Sequence, residues 1–154
     1  MTYLVVKWLH VLSSTLLFGT GLGSAYYMFF ASRTRDAHVA ATVVRHVVVA
    51  DWLFTATTVV FQPVSGFYLV HLAGIPWTAP WILWSLGLYV LAGACWLPMV
   101  WMQLRMRDLA AAAAASGLPL PARYWSYLRY WVALGIVAFA ALVVVFWLMV
   151  AKPV

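Results

Sequence analysis

Residues 46–71 read HVVVADWLFTATTVVFQPVSGFYLVH. The run is longer than the roughly 20 apolar residues a helix needs to cross a bilayer. It is built mostly of Val, Phe, Leu and other apolar residues, yet it holds Asp51, Gln62 and Pro63. Successive helical residues turn by roughly 100°, so positions 3, 4, 7 and 11 apart share a face. Asp51, Thr55, Thr58, Gln62 and Ser65 fit that spacing and form one polar stripe on an apolar helix. A carboxylate facing lipid costs about 2.5 kcal/mol or more, so the stripe is expected to face protein or a wet cavity. Pro63 removes one backbone hydrogen bond and is expected to kink the helix.

The rest of the chain has the same character. Of its 154 residues 67% are hydrophobic and 8% charged, with a mean hydropathy of +0.98. A water-soluble domain would carry far more charge on its surface. The composition implies a single membrane domain over residues 1–154, all-α, a four-helix up-down bundle. The expected spans are about 3–30, 39–72, 81–104 and 124–150. The second span is longer than a bilayer requires, so its first turns project or tilt. The third continues through RMRDLAAAAAA, since Ala is the strongest helix former, and stops at Ser116–Gly117 before Pro119 and Pro121. The first apolar run continues into GTGLGSAYYMFF with no small-residue cleavage site, so it reads as a span and not a cleaved leader. Ten Trp and eight Tyr suit the aromatic belts at bilayer interfaces. Cys95 is the lone cysteine, so there is no internal disulfide and no CxxC metal site.

The net charge of +6 speaks of topology and not of nucleic acid. Arg33, Arg35, Arg45, Arg105, Arg107, Arg123 and Arg129 flank the connections around 31–45 and 105–129, whereas only Lys7 and Lys152 lie at the other end. The excess of basic residues places those two connections in the cytoplasm and both termini outside.

Ionisable residues inside a span are functional candidates by default. On span 1, His10, Ser14, Leu17, Gly21 and Ser24 share a face, with Lys7 near the outer end, and Gly19 with Gly23 invites close approach of a neighbouring helix. His71 lies at the outer end of span 2, on the same side of the bilayer as His10. Neutral imidazole is a common axial ligand of haem, and helix bundles build such sites from facing helices. His71 is nine positions from Gln62, half a turn off the polar stripe, so it joins His10 only if Pro63 rotates it inward. His38 and His46 read as interfacial; a second haem beside His46 would be the alternative. Asp51 calls for a cation, and Arg105 and Arg129 lie toward the same end, so a buried ion pair is expected, or else a relay for protons or a seat for propionates or a quinone head group. Tyr89, Cys95, Trp96 and Met99 on span 3 read as core, not as a copper site.

At KWLHVLSSTLLFGTGLG, VADWLFTATTVVFQPVSG and LYVLAGACWLPMVWMQLRMRDLA the sequence resembles a bacterial integral-membrane family of unknown function, uncharacterised domain 2269, over nearly its whole length. That resemblance implies the bacterial cytoplasmic (inner) membrane and no particular activity. More distantly, the opening KWLH, with Lys7 and His10, resembles HemJ-type protoporphyrinogen oxidases and CopD-like membrane proteins. The HemJ-type resemblance implies haem b on the first-span histidine, here His10. The expected function is therefore a haem b-binding redox or electron-transfer protein, quinone-linked or acting in HemJ-like porphyrinogen oxidation. His10 and His71 are the candidate iron ligands, Arg105 and Arg129 further cofactor-binding residues, and Asp51 and Gln62 a polar network. Partners would be the lipid bilayer, a quinone or a redox protein, and a second copy in a homodimer. The rivals are a non-enzymatic scaffold or subunit of a larger complex, in which the stripe only joins helices, and a permease, which four spans could form only as an oligomer.

Overall fold

The computed structural model describes residues 1–153. Four helices make up the fold: α1 (Thr2–Arg33), α2 (Ala37–Leu72), α3 (Pro80–Ser116) and α4 (Ala122–Ala151). Each is long and apolar enough to cross a membrane. The ends are set by local chemistry. Asp36 caps α2, its carboxylate accepting from the backbone N–H of His38 at 2.8 Å and of Val39 at 3.2 Å. Pro80 opens α3 at a position where its missing N–H costs nothing. Gly117 closes α3 in the left-handed region, φ 63°, as the Ser-Gly stop implies.

The helices pair as two hairpins. The contact between α3 and α4 is the most extensive, and α1 lies along the whole of α2. The hairpins join chiefly through residues 37–50 of α2, which pack on α3. Beyond that level α2 leans on α1, and α1 reaches α4 at a few points such as Phe18, stacked on Phe139 at 4.6 Å and edge-on to Phe146 at 5.3 Å.

The well-packed core lies at the arginine-rich end, hereafter the basic end. Met28, Ala40, Val44, Met106, Ala110 and Tyr124 belong to it and are almost wholly enclosed. Within it the Tyr124 and Ser32 hydroxyls meet at 2.7 Å, and Ser32 donates to the Met28 carbonyl. At 1.5 Å per residue the 37 residues of α3 extend about 55 Å. The hydrocarbon core is about 30 Å thick. The alanine-rich end of α3 therefore stands clear of it, and small side chains let α2 and α4 close around it. The other end holds less buried apolar surface, as expected where lipid is the solvent.

Two irregularities shape α2. At Asp51–Thr55 it makes a π turn, the Ala56 N–H bonding to the Asp51 carbonyl five residues back. Further on, Pro63 lies inside the helix and cannot donate to the Val59 carbonyl. The Tyr89 hydroxyl of α3 donates to that carbonyl at 2.7 Å. A side chain from a neighbour thus replaces the backbone bond that proline removes, as a membrane interior requires.

Candidate functional site

The polar stripe of α2 is buried along its length: Asp51, Thr55, Thr58, Gln62 and Ser65 are all enclosed. It divides into two groups. The upper group lies against α1. Gln62 Nε2 donates to the His10 carbonyl at 2.9 Å and to Ser13 Oγ at 2.7 Å. His10 Nδ1 lies 2.7 Å from Ser65 Oγ. Ser65 Oγ in turn lies 2.7 Å from the Phe61 carbonyl and 3.2 Å from that of Gln62. With the serine proton on its own helix, Nδ1 is the nitrogen that donates to Ser65 and Nε2 keeps a bare lone pair; with the proton turned to His10, the roles of the two nitrogens exchange. The ring lies close to the α2 backbone, since a Cβ at Gly66 would come within 3.3 Å of His10 Cε1. Glycine at 66 admits the imidazole; a larger residue would displace it.

The lower group centres on Asp51, only 7% exposed. Thr55 Oγ1 donates to its Oδ1 at 2.9 Å. Asp51 also faces α3 across a narrow crevice lined by Trp96, Val100 and Gln103. The Gln103 side chain lines the same crevice as the carboxylate, and the Trp96 indole N–H is buried with no acceptor among the described residues. The crevice holds about 10 Å³, near the least room that admits one water.

The expected ion pair does not form. Arg105 is exposed with its guanidinium over the Trp101 ring, 5.5 Å from the centroid. Arg129 is exposed in a separate cleft at the basic end. The ion pair found among the described residues is Arg107 with Asp108, on the surface at 2.8 Å. A long side chain near a helix end reaches water more cheaply than it follows a carboxylate into lipid. Asp51 is instead bonded by the neutral Thr55 hydroxyl.

His71 is exposed at the end of α2, six residues past Ser65 and so about 9 Å further along the helix than the residue that holds His10. The structure joins His10 to Gln62 and Ser65 but not to His71. His38 and His46 are exposed, and His46 Nδ1 bonds to the Thr42 carbonyl at 2.8 Å, in keeping with interfacial positions. Among the described residues no three His, Cys, Asp or Glu cluster as metal ligands. Gly19, Gly21 and Gly23 have no neighbour within 4 Å of a would-be Cβ, so the close approach expected at Gly19 and Gly23 is absent within the chain. Three members of the site carried no sequence signal as such. Ser13, and not Ser14, is the partner of Gln62: Ser13 is buried against α2, whereas the Ser14 hydroxyl bonds back to the Val11 carbonyl of its own helix. Gln103 lies in a charged, methionine-rich stretch that reads as helix surface. Gly66 is one of nine glycines, with nothing in its spacing to mark it.

No curated protein and no solved structure matches the chain. A family described as predicted integral membrane protein (DUF2269) matches residues 4–153. Nearly the whole chain, including α1 with His10 and the full stripe of α2, falls within that match, and the protein belongs to this family of integral membrane proteins.

Proposed function

We propose that the protein is a redox component of the bacterial cytoplasmic membrane, with His10 an axial ligand of a b-type haem and a quinone or redox protein exchanging its electrons. The observation that carries this reading is the 2.7 Å contact between His10 Nδ1 and Ser65 Oγ inside the helix pair. Where Ser65 donates to the Phe61 carbonyl, its oxygen is left to accept from Nδ1–H of His10. Metal-ligating histidines are prepared in this way: an outer hydrogen bond fixes tautomer and ring plane and leaves the other nitrogen as donor to the metal. A bound haem would supply one-electron chemistry. The chain's own part is to hold the imidazole through Ser65 and Gly66, tie the α1 backbone through Gln62, and keep water away with the surrounding apolar helices. His71, exposed and about 9 Å further along α2 than Ser65, lends no support as the second ligand, and the reading rests on His10 alone. Seven arginines at the basic end and two lysines at the other support an orientation with both termini outside, which puts His10 in the outer half of the bilayer. The resemblance at KWLH to HemJ-type oxidases supports the same residue.

A second reading has its own support. The Gln62 amide nitrogen and the Ser65 hydroxyl both bond within the chain, as in a stripe that serves only to join helices in a scaffold or a subunit of a larger complex. Colour separates the two. Protein purified from cells supplied with haem precursor should show a Soret band and reduced b-type bands. His10→Ala should abolish them, and Ser65→Ala should shift or weaken them while the helix content stays unchanged. Colourless wild-type protein that takes up no haem on reconstitution would remove the redox reading and leave the scaffold.

A further inference from the structure

At the basic end, well away from His10, a cleft of about 890 Å³ opens between the end of α1 and the start of α4. That volume lies in the range of small-molecule sites, roughly 300–1,000 Å³. Arg33, Arg35 and Arg129 stand around it, and Phe29, Leu120 and Trp125 form an apolar wall. We infer that this cleft binds an anionic phospholipid of the membrane leaflet at the basic end, with the phosphate among the three arginines and the upper acyl chains along the apolar wall.

Four observations converge. The first is charge: none of the three guanidiniums has a carboxylate within ion-pair distance among the described residues. The nearest acid in sequence, Asp36, is occupied in capping α2. Three arginines around one cleft, with no carboxylate bonded to them, suit an anion. The second is depth. Phe29 and Trp125 lie within four residues of the ends of their apolar segments, so the cleft stands at the interface, where lipid phosphates lie. The third is the mixed lining, apolar on one side and cationic on the other, which suits an amphiphile and is poorly used by a small hydrophilic ion. Basic pockets of this kind between transmembrane helices hold anionic head groups. The fourth is Arg35. It sits at φ 60°, a left-handed position that glycine would adopt without strain. The residue at this position is nevertheless an arginine, and its side chain lines the cleft.

That last point supplies a clean test. Arg35→Gly removes the charge while relieving the turn, so this variant should fold at least as stably as the parent. Delipidated full-length protein in a non-ionic detergent would be titrated with phosphatidylglycerol or with phosphatidylcholine of the same chains, and bound lipid counted by native mass spectrometry. Phosphatidylglycerol should bind the parent about tenfold or more tighter than phosphatidylcholine. Arg35→Gly and Arg129→Gln should each weaken phosphatidylglycerol by about fivefold, the increment expected for one basic residue at a membrane surface. Together they should bring it to the level of phosphatidylcholine. Arg107→Gln, whose charge is already paired with Asp108, should leave it unchanged. Equal binding of the two lipids, or full retention by the double variant, would overturn the inference. So would displacement of phosphatidylglycerol by millimolar inorganic phosphate or by an acidic peptide, either of which would assign the cleft to a soluble anion.

Discussion

Asp51→Asn distinguishes the observed site from the one that charge arithmetic alone suggests. If Asp51 were paired with Arg105 or Arg129, removing its charge would strand a buried cation and cost about 3–5 kcal/mol. In the structure Asp51 has no cation; Thr55 Oγ1 donates to it at 2.9 Å, and the Gln103 side chain of α3 lines the same crevice. Asparagine keeps an oxygen for the threonine, so that hydrogen bond, worth about 1 kcal/mol, survives. A carboxylate at the centre of a membrane helix is unfavourable by about 2.5–3.5 kcal/mol on insertion scales, and the amide escapes much of that. The expected result is therefore a protein between unchanged and about 2 kcal/mol more stable. Equilibrium unfolding in mixed micelles of non-ionic detergent and dodecyl sulfate would measure it. Arg105→Gln and Arg129→Gln, both exposed, should each fall within about 0.5 kcal/mol of the parent and add to Asp51→Asn without coupling. A loss of more than about 3 kcal/mol in Asp51→Asn, recovered by neutralising either arginine, would show that a buried ion pair exists and refute the reasoning.

Three other outcomes follow from the same geometry. Tyr89→Phe orphans the Val59 carbonyl and should cost about 1–2 kcal/mol, yet much less in a Pro63→Ala background, where residue 63 regains its N–H; equal costs in both backgrounds would mean that the hydroxyl does not serve the proline gap. Gln62→Leu and Ser13→Ala should couple by about 0.6–1.7 kcal/mol, the range for hydrogen bonds between membrane helices; simple additivity in the unfolding assay would contradict the bond. A reporter fused after the last residue should be active only on the outer side of the membrane, and cytoplasmic activity would invert the orientation and move His10 to the inner half.

The four spans and the stripe were legible because both rest on periodicity and length, which backbone geometry translates directly. The spans expected at about 3–30, 39–72, 81–104 and 124–150 stand as helices over 2–33, 37–72, 80–116 and 122–151. The expected run of α3 through its alanines is likewise present. The partners of the stripe were not legible. Azimuth says that Asp51 points inward, but not that Gln103 awaits it, because a glutamine amid Leu, Arg and Met carries no pattern. Nor does proximity along the chain decide where a flexible arginine ends: Arg105 stacks on Trp101 one turn back, and Arg129 turns to the cleft at the basic end. His10 was visible as an ionisable residue in an apolar run, whereas its tautomer depends on Ser65, which is 55 residues away.

The π turn explains how one polar stripe serves two neighbours. On an uninterrupted α-helix Asp51, Thr55, Thr58, Gln62 and Ser65 lie within about 40° of a common line, so all would face one helix. One extra residue in the hydrogen-bond ladder offsets the face by roughly 100°. That offset falls between Asp51 and Ala56. Above it Gln62 and Ser65 address Ser13 and His10 of α1; below it the Asp51 side chain is turned to the α3 crevice with Gln103. The backbone contacts divide in the same way, residues 37–50 packing mainly on α3 and residues 56–72 mainly on α1. The π turn thus follows directly on the stretch, residues 37–50, by which α2 links the two hairpins, and marks where its packing passes from α3 to α1. Its carboxylate has a role there: Thr55 Oγ1, one turn on, donates to Asp51 and holds the two edges of the π turn together. Regular α-helix through 51–55 would carry Asp51 toward α1, away from Gln103, and would leave the junction of the hairpins with an unmatched polar face on each side. The spacing of polar residues is compatible with either geometry, which is why this feature appears only in the folded chain.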